Sequence, residues 1–189
     1  MAALACTLAA CSPSPLQWQL TDVRHHLPDL SFSMLADSGK TIDAQAFKGH
    51  TTLVYFGYTH CPDVCPETMA RLMQVMDKLG PLADGIRILF ISVDPARDTP
   101  QVMHAYVDAF DSKHMVGLTG TPAQIEDLAR EYRIAYQAEK VDPSGSYEVT
   151  HSPAVYVFDQ EGRARLIATG DTTADMFVHD LRQLVQSTS

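Results

Sequence analysis

Cys61 and Cys65 stand four positions apart in the run Thr59-His60-Cys61-Pro62-Asp63-Val64-Cys65-Pro66. Two sulfurs at that spacing can do two kinds of chemistry. A thiolate pair can hold a soft metal ion, or it can cycle through a disulfide. The run follows a strand-like apolar segment, Thr51 to Phe56, and precedes a helix-like one that starts near Pro66. At a helix N-terminus, free backbone N–H groups and the helix dipole favour thiolate over thiol. Pro66 suits the first helical position, which makes Cys65 the expected N-cap and puts Cys61 one loop earlier.

Three residues separate the cysteines, not the two of the usual redox pair. The wider spacing permits a disulfide, and it also lets both sulfurs flank one ion at about 2.3 Å, the thiolate distance of zinc. Zinc wants four ligands. Two thiolates and one imidazole suit Cu(I) better, because it is soft and accepts low coordination. A purely structural disulfide is the plain alternative in an exported protein, but a bridge across so short a loop constrains little of the chain.

A third ligand must come from one of eight histidines. His151 is the best placed, because it ends a polar loop and precedes Ser152-Pro153 and the apolar strand Ala154 to Phe158. His60 adjoins Cys61, but neighbours on an extended chain point to opposite faces. His25 and His26 read as part of a solvated tail; His104, His114 and His179 read as ordinary helix or loop residues. Met69, Leu72, Met73, Met76 and Leu79 form a stripe whose thioethers could bind Cu(I), yet its spacing is that of a helix face turned to a core.

The elements that must position these residues follow from periodicity and caps. Phe32 to Leu35 and Lys40 to Ile42 flank a turn at Asp37-Ser38-Gly39 and read as a hairpin. Ile86 to Val93 is a second buried strand. Thr99-Pro100 opens a helix through Phe110, and Thr121-Pro122-Ala123-Gln124 opens another through Arg130 with a capping box. Met115 to Leu118 is a short strand between them. A polar hairpin spans Ala135 to Val149, and Ala154 to Phe158 pairs with Ala164 to Ala168 around Gln160-Glu161-Gly162. Thr172 is the expected cap of a last helix. Asp94, Arg97 and Asp98 read as a loop pinned by an Arg–Asp pair, next to the site in such a fold. Strands alternating with helices, then a terminal hairpin and helix, give an α/β fold of thioredoxin-like type. Its central mixed sheet is flanked by helices and extended by the N-terminal hairpin, and the cysteine pair sits where the first central strand meets its helix. In that fold the strand start after His151 faces the cysteine loop, and a proline there, here Pro153, is often cis.

The chain has 189 residues and a net charge of −9, enough for one domain plus a tail and a poor match to nucleic acid. No stretch approaches the roughly 18 apolar residues of a membrane span. Ala2 to Ala10 is a short apolar run ending in Leu8-Ala9-Ala10-Cys11. It resembles a bacterial lipobox, in which the cysteine becomes the lipidated first residue. The first basic residue is Arg24, so the basic end of a signal peptide is missing and a start upstream of Met1 is expected. The expected organisation is a truncated signal segment over 1–10, a tether over 11–30 and one domain over 31–189.

The stretch Tyr55 to Pro66, the stretch Ile91-Ser92-Val93-Asp94-Pro95-Ala96-Arg97-Asp98-Thr99-Pro100, and His151-Ser152-Pro153 together resemble the Sco/SenC family. The resemblance runs from about Phe32 to Leu184. It implies a thioredoxin-like fold that carries one copper ion, Cu(I) or Cu(II), on Cys61, Cys65 and His151. It implies a metallochaperone for the dinuclear copper site of cytochrome c oxidase. Its partners would be subunit II or another copper-accepting protein, a copper donor chaperone, and the membrane through Cys11 in a bacterial cell envelope. The membrane anchor of many members is replaced here by the lipobox-like start. The same thiols could instead keep target cysteines reduced, as a thiol–disulfide oxidoreductase. A peroxidase reading of Val64-Cys65-Pro66 fails, since Tyr58, Thr59 and His60 do not supply the Pro, Thr and Arg setting that activates such a thiolate.

With an upstream signal supplied, the mature protein is expected to begin at Cys11 and to partition with membranes, and Cys11→Ser to release it or leave it uncleaved. Mass spectrometry of the mature N-terminus checks this; a start beyond Cys11 rejects the lipobox.

Overall fold

A computed structural model describes residues 17–186. Its strands are β1 (Thr21–Asp22), β2 (Ser33–Ala36), β3 (Thr41–Asp43), β4 (Thr51–Gly57), β5 (Ile86–Ser92), β6 (Met115–Thr119), β7 (Tyr136–Ala138), β8 (Val149–His151), β9 (Val155–Phe158) and β10 (Ala164–Ala168). Its α-helices are α1 (Val64–Leu79), α2 (Pro100–Asp111), α3 (Pro122–Glu131) and α4 (Ala174–Gln186). Eight strands form one mixed sheet in the order β1-β10-β9-β4-β5-β6-β2-β3, while β7 and β8 form a separate two-stranded sheet.

The apolar runs become central strands because both faces of the sheet are covered. All of β4 is buried. Leu53 and Tyr55 of β4 and Ile88 and Phe90 of β5 join one cluster with residues of α1, α2 and α4. Val54, Phe56, Leu89 and Ile91 point the other way, into a cluster with α3 and the N-terminal hairpin. The methionine stripe is core: Met69, Leu72, Met76 and Leu79 are buried along α1, and Met73 packs at its margin. Gly80 ends α1 with φ of 57°, a left-handed turn that glycine adopts without strain.

Local caps set the helix starts. The Thr99 hydroxyl accepts the Val102 N–H at 3.4 Å. Thr121 and Gln124 form the expected reciprocal box at 3.3 and 2.9 Å. At α4 the cap is Thr173, which accepts from Met176 at 3.3 Å. The expected cap, Thr172, instead accepts from Thr169 at 3.0 Å and closes the preceding turn. The N-terminal hairpin extends the main sheet through β2, which pairs with β6 at Leu35↔Thr119.

The expected tether is folded over its second half. β1 pairs with β10 at Thr21↔Ile167, and Leu20, Val23 and Leu30 are buried. The Asp180 carboxylate of α4, with no exposure, accepts the N–H groups of Gln19 at 3.0 Å and Leu20 at 2.8 Å. Residues 11–16 of the tether and the signal-like 1–10, with Cys6 and Cys11, lie outside the described residues. No helix among the described residues is long and apolar enough to cross a membrane.

Topology brings three chain segments to one end of the sheet. β4 and β5 run parallel and finish level, at Gly57↔Ser92. β9 is antiparallel to β4, with Tyr55↔Val155, so its beginning lies where β4 ends. Ligands of open α/β sheets sit outside these carboxyl ends.

Asp180→Ala is expected to lower unfolding free energy by about 2 kcal/mol, since buried N–H groups lose a charged acceptor. Denaturant unfolding checks this; a loss under about 0.5 kcal/mol, as at an ordinary surface position, counts against the pinned arm.

Candidate metal centre

The chain leaves β4 at Gly57 and turns back through Thr59 and His60 to Cys61, whose N–H bonds to the Tyr58 carbonyl at 3.2 Å. α1 then begins at Val64, with Asp63 as N-cap and no side-chain cap bond. Cys65 is therefore the second helical residue, not the cap, and Pro66 the third. Proline is tolerated there because first-turn N–H groups have no partner within the helix. One of those groups is satisfied by sulfur: Cys61 Sγ accepts the Cys65 N–H at 3.4 Å.

Cys61, Cys65 and His151 bring their donor atoms within 4.8 Å of one another. No other such group of His, Cys, Asp or Glu occurs among the described residues. Both cysteines are free thiols, Cys65 buried and Cys61 partly exposed. Cys65 Sγ lies 3.3 Å from His151 Nε2 and receives the Tyr55 O–H at 3.5 Å. His151 Nδ1 lies 3.1 Å from the Ser152 carbonyl. A carbonyl can only accept, so Nδ1 carries the proton and Nε2 turns its lone pair to Cys65. The imidazole packs edge-on against Tyr58 and Tyr55, with ring centres 5.8 and 6.0 Å away. No peptide bond among the described residues is cis, so the bond to Pro153 is trans.

Burial overrides the helix dipole. Desolvation pushes the Cys65 thiol up to about 12, against the opposing Tyr55 hydrogen bond. The expected thiolate is thus a thiol at neutral pH. Burial also lowers the His151 pKa, opposed by the bond to the Ser152 carbonyl. A neutral S–H facing a neutral imidazole nitrogen is what both directions favour.

Gly57 makes room for the buried sulfur. A Cβ there would lie 2.7 Å from Cys65 Sγ and 2.8 Å from Phe90 Cε2. Asp98, with no exposure, braces the turn before Cys61. It accepts from the Thr59 N–H at 3.1 Å, the Thr59 hydroxyl at 2.6 Å and the Ser92 hydroxyl at 2.6 Å. The expected pinned loop is present, with Arg97 paired to Asp94. Sequence reasoning missed Tyr55, Gly57 and the Asp98 brace; their one local signal was adjacency to the cysteine and Asp-rich stretches.

The remaining histidines stay apart. His60 is 51% exposed and contacts Thr59 and Asp98. His104, His114 and His179 pair with Asp37, Asp111 and Asp180. A groove of about 230 Å³, lined by Tyr58, Cys61, Pro62, Asp63, Glu148 and His151 among others, opens the cluster to solvent. The donor set of two sulfurs and one nitrogen fits a soft, low-coordinate ion and falls one ligand short of structural zinc.

The sequence model described as SCO1/SenC matches residues 24–186. Over 132 residues, 69% of this chain, it is 41% identical to the mitochondrial SCO1 homolog 1 of Arabidopsis thaliana, of which it covers 39%. Over 133 residues it is 41% identical to the mitochondrial SCO2 homolog of Bos taurus, again 69% of this chain, and covers 50% of that protein. The chain thus spans half or less of the length of these curated relatives. Among solved structures, Bradyrhizobium japonicum ScoI with copper bound superposes with a TM-score of 0.75 at 35% identity, covering 83% of this chain and 99% of that one.

Burial hides the Cys65 thiol and pushes it up to about 12, which sets it apart from the partly exposed Cys61. Iodoacetamide at pH 8 is expected to alkylate Cys61 first, with Cys65 modified at least about tenfold more slowly, because only thiolate reacts. Peptide mass spectrometry over time reads the order; equal rates contradict the buried thiol.

Proposed function

The chain belongs to the SCO1/SenC family, and from that membership and the site geometry we propose that it is a copper metallochaperone. It binds one copper ion through Cys61, Cys65 and His151 and assists assembly of the dinuclear copper site of cytochrome c oxidase. The observation that supports this reading is the meeting of two sulfurs and one imidazole nitrogen within 4.8 Å, at the mouth of a groove. Copper is cargo here, and the chemistry is ligand exchange. Cys61, the more exposed sulfur, is open to an incoming donor, while Cys65 and His151 hold from below. Loading requires the thiols to lose their protons. The acceptor is subunit II or another copper-accepting protein, and a donor chaperone supplies the ion. Lipidation at Cys11 would hold the domain at the outer face of a bacterial membrane.

A second reading, thiol–disulfide reduction of target cysteines, draws on the same free thiol pair. His151 separates the two, because disulfide exchange runs through sulfur alone.

The domain over residues 17–186 is expected to take up one Cu(I) per chain, and Cys61→Ser or Cys65→Ser to abolish tight binding, as metal analysis of reduced protein checks. His151→Ala is expected to weaken Cu(II) more than Cu(I), since imidazole suits the harder ion, and to leave thiol exchange within a few-fold. Unchanged copper binding in Cys61→Ser sinks the copper site. Normal oxidase assembly by His151→Ala, with failure of Cys61→Ser, turns the assignment to the reductase.

A further inference from the structure

His151 stands on β8, which among the described residues pairs only with β7, at Tyr136↔His151. That two-stranded sheet forms no ladder with the main one. An isolated hairpin is marginally stable in water. Something outside the strands must therefore hold His151 over the cysteines, which are carried by the main body.

Val149 of β8 is buried in the core with Phe56 and Tyr58, and a second set of contacts converges on Arg97, in the loop between β5 and α2. Its guanidinium carbon lies 3.7 Å from the centre of the Tyr147 ring and 5.7 Å from that of Tyr58. Its Nη1 donates to the Tyr147 carbonyl at 3.0 Å, and its Nε pairs with the Asp94 carboxylate. The Tyr147 hydroxyl donates to the same carboxylate at 2.7 Å. Asp94 is 4% exposed and the Arg97 side chain 20%. A partly buried, charge-assisted ring of contacts thus joins the hairpin to the β5–α2 loop, two residues before β8 begins. Tyr58 continues the stack, with the His151 ring against it at 5.8 Å and 90°.

We infer that Arg97 is a positioning residue of His151: by clamping Tyr147 and stacking beside Tyr58 it aligns the hairpin, anchored in the core by Val149, so that the imidazole meets the cysteine pair. Release of the clamp loosens His151 from the cysteine pair. This deepens the proposed function and rests on it for the copper consequence, but the placement of His151 is a property of the metal-free chain.

Arg97→Met keeps much of the side chain's apolar stem and removes the guanidinium. In the metal-free protein, NMR is expected to show loss of the His151–Tyr58 ring contacts. Amide exchange at Val149 and His151 is expected to quicken about tenfold, the effect of losing a hydrogen bond to a charged group. Tyr147→Phe, which deletes only the bond to Asp94, is expected to move both readings the same way by less. Cu(II), added alone, is expected to bind Arg97→Met about 10- to 100-fold more weakly, as for other supports of a metal ligand. In a His151→Ala background the same substitution is expected to cost no further affinity. Intact ring contacts and unchanged exchange in both variants overturn the inference. So does an equal loss of Cu(II) affinity with and without His151, because Arg97 would then act on the cysteine loop. Absence of copper binding in the wild type defeats the metallochaperone reading alone, since the metal-free measurements still judge the clamp.

Discussion

The Cys65 sulfur has no solvent exposure, and it touches side chains from two strands. Tyr55 donates to it from β4, His151 faces it from β8, and Gly57 leaves the space it fills. A neutral thiol can be buried at small cost, whereas an unpaired thiolate cannot. The fold therefore keeps this sulfur protonated until a cation arrives to compensate the charge. The neighbouring Cys61 differs in kind: it is partly exposed, and its lone pairs already serve as an acceptor for the first turn of α1.

The main body answers this constraint with buried polar contacts at the strand ends, where the sheet's own ladder has run out. Asp98 receives three donors from Thr59 and Ser92 and fixes the turn into Cys61. Asp94 receives Arg97 and Tyr147 and fixes the hairpin that leads to His151. In a low-dielectric setting such carboxylates are costly when unpaired and rigid when fully bonded. The two aspartates of one short loop thus govern the two halves of the site.

The cysteines and His151 were legible because their residue types are rare and their flanking prolines mark turns. The caps at Thr99 and Thr121 were legible because a hydroxyl serves an amide three residues on. What stayed hidden depends on partners distant in sequence. The arm at Leu20 looked like a tether because its acceptor, Asp180, lies 160 residues away. At Thr172 and Thr173 two adjacent hydroxyls compete, and the shape of the preceding turn decided between them. The thiolate expectation failed for another reason: the helix dipole can be read from a local run, but the depth at which a side chain lies cannot.

The separation of 86 residues between Cys65 and His151 has a consequence for the chain's birth. During synthesis the thiol pair emerges long before the imidazole. A chain that has not yet set β9 against β4 offers two sulfurs without the nitrogen. Occupation of the complete trio therefore favours the finished fold over every partial one, and ligand binding to the native state alone adds to its stability by mass action.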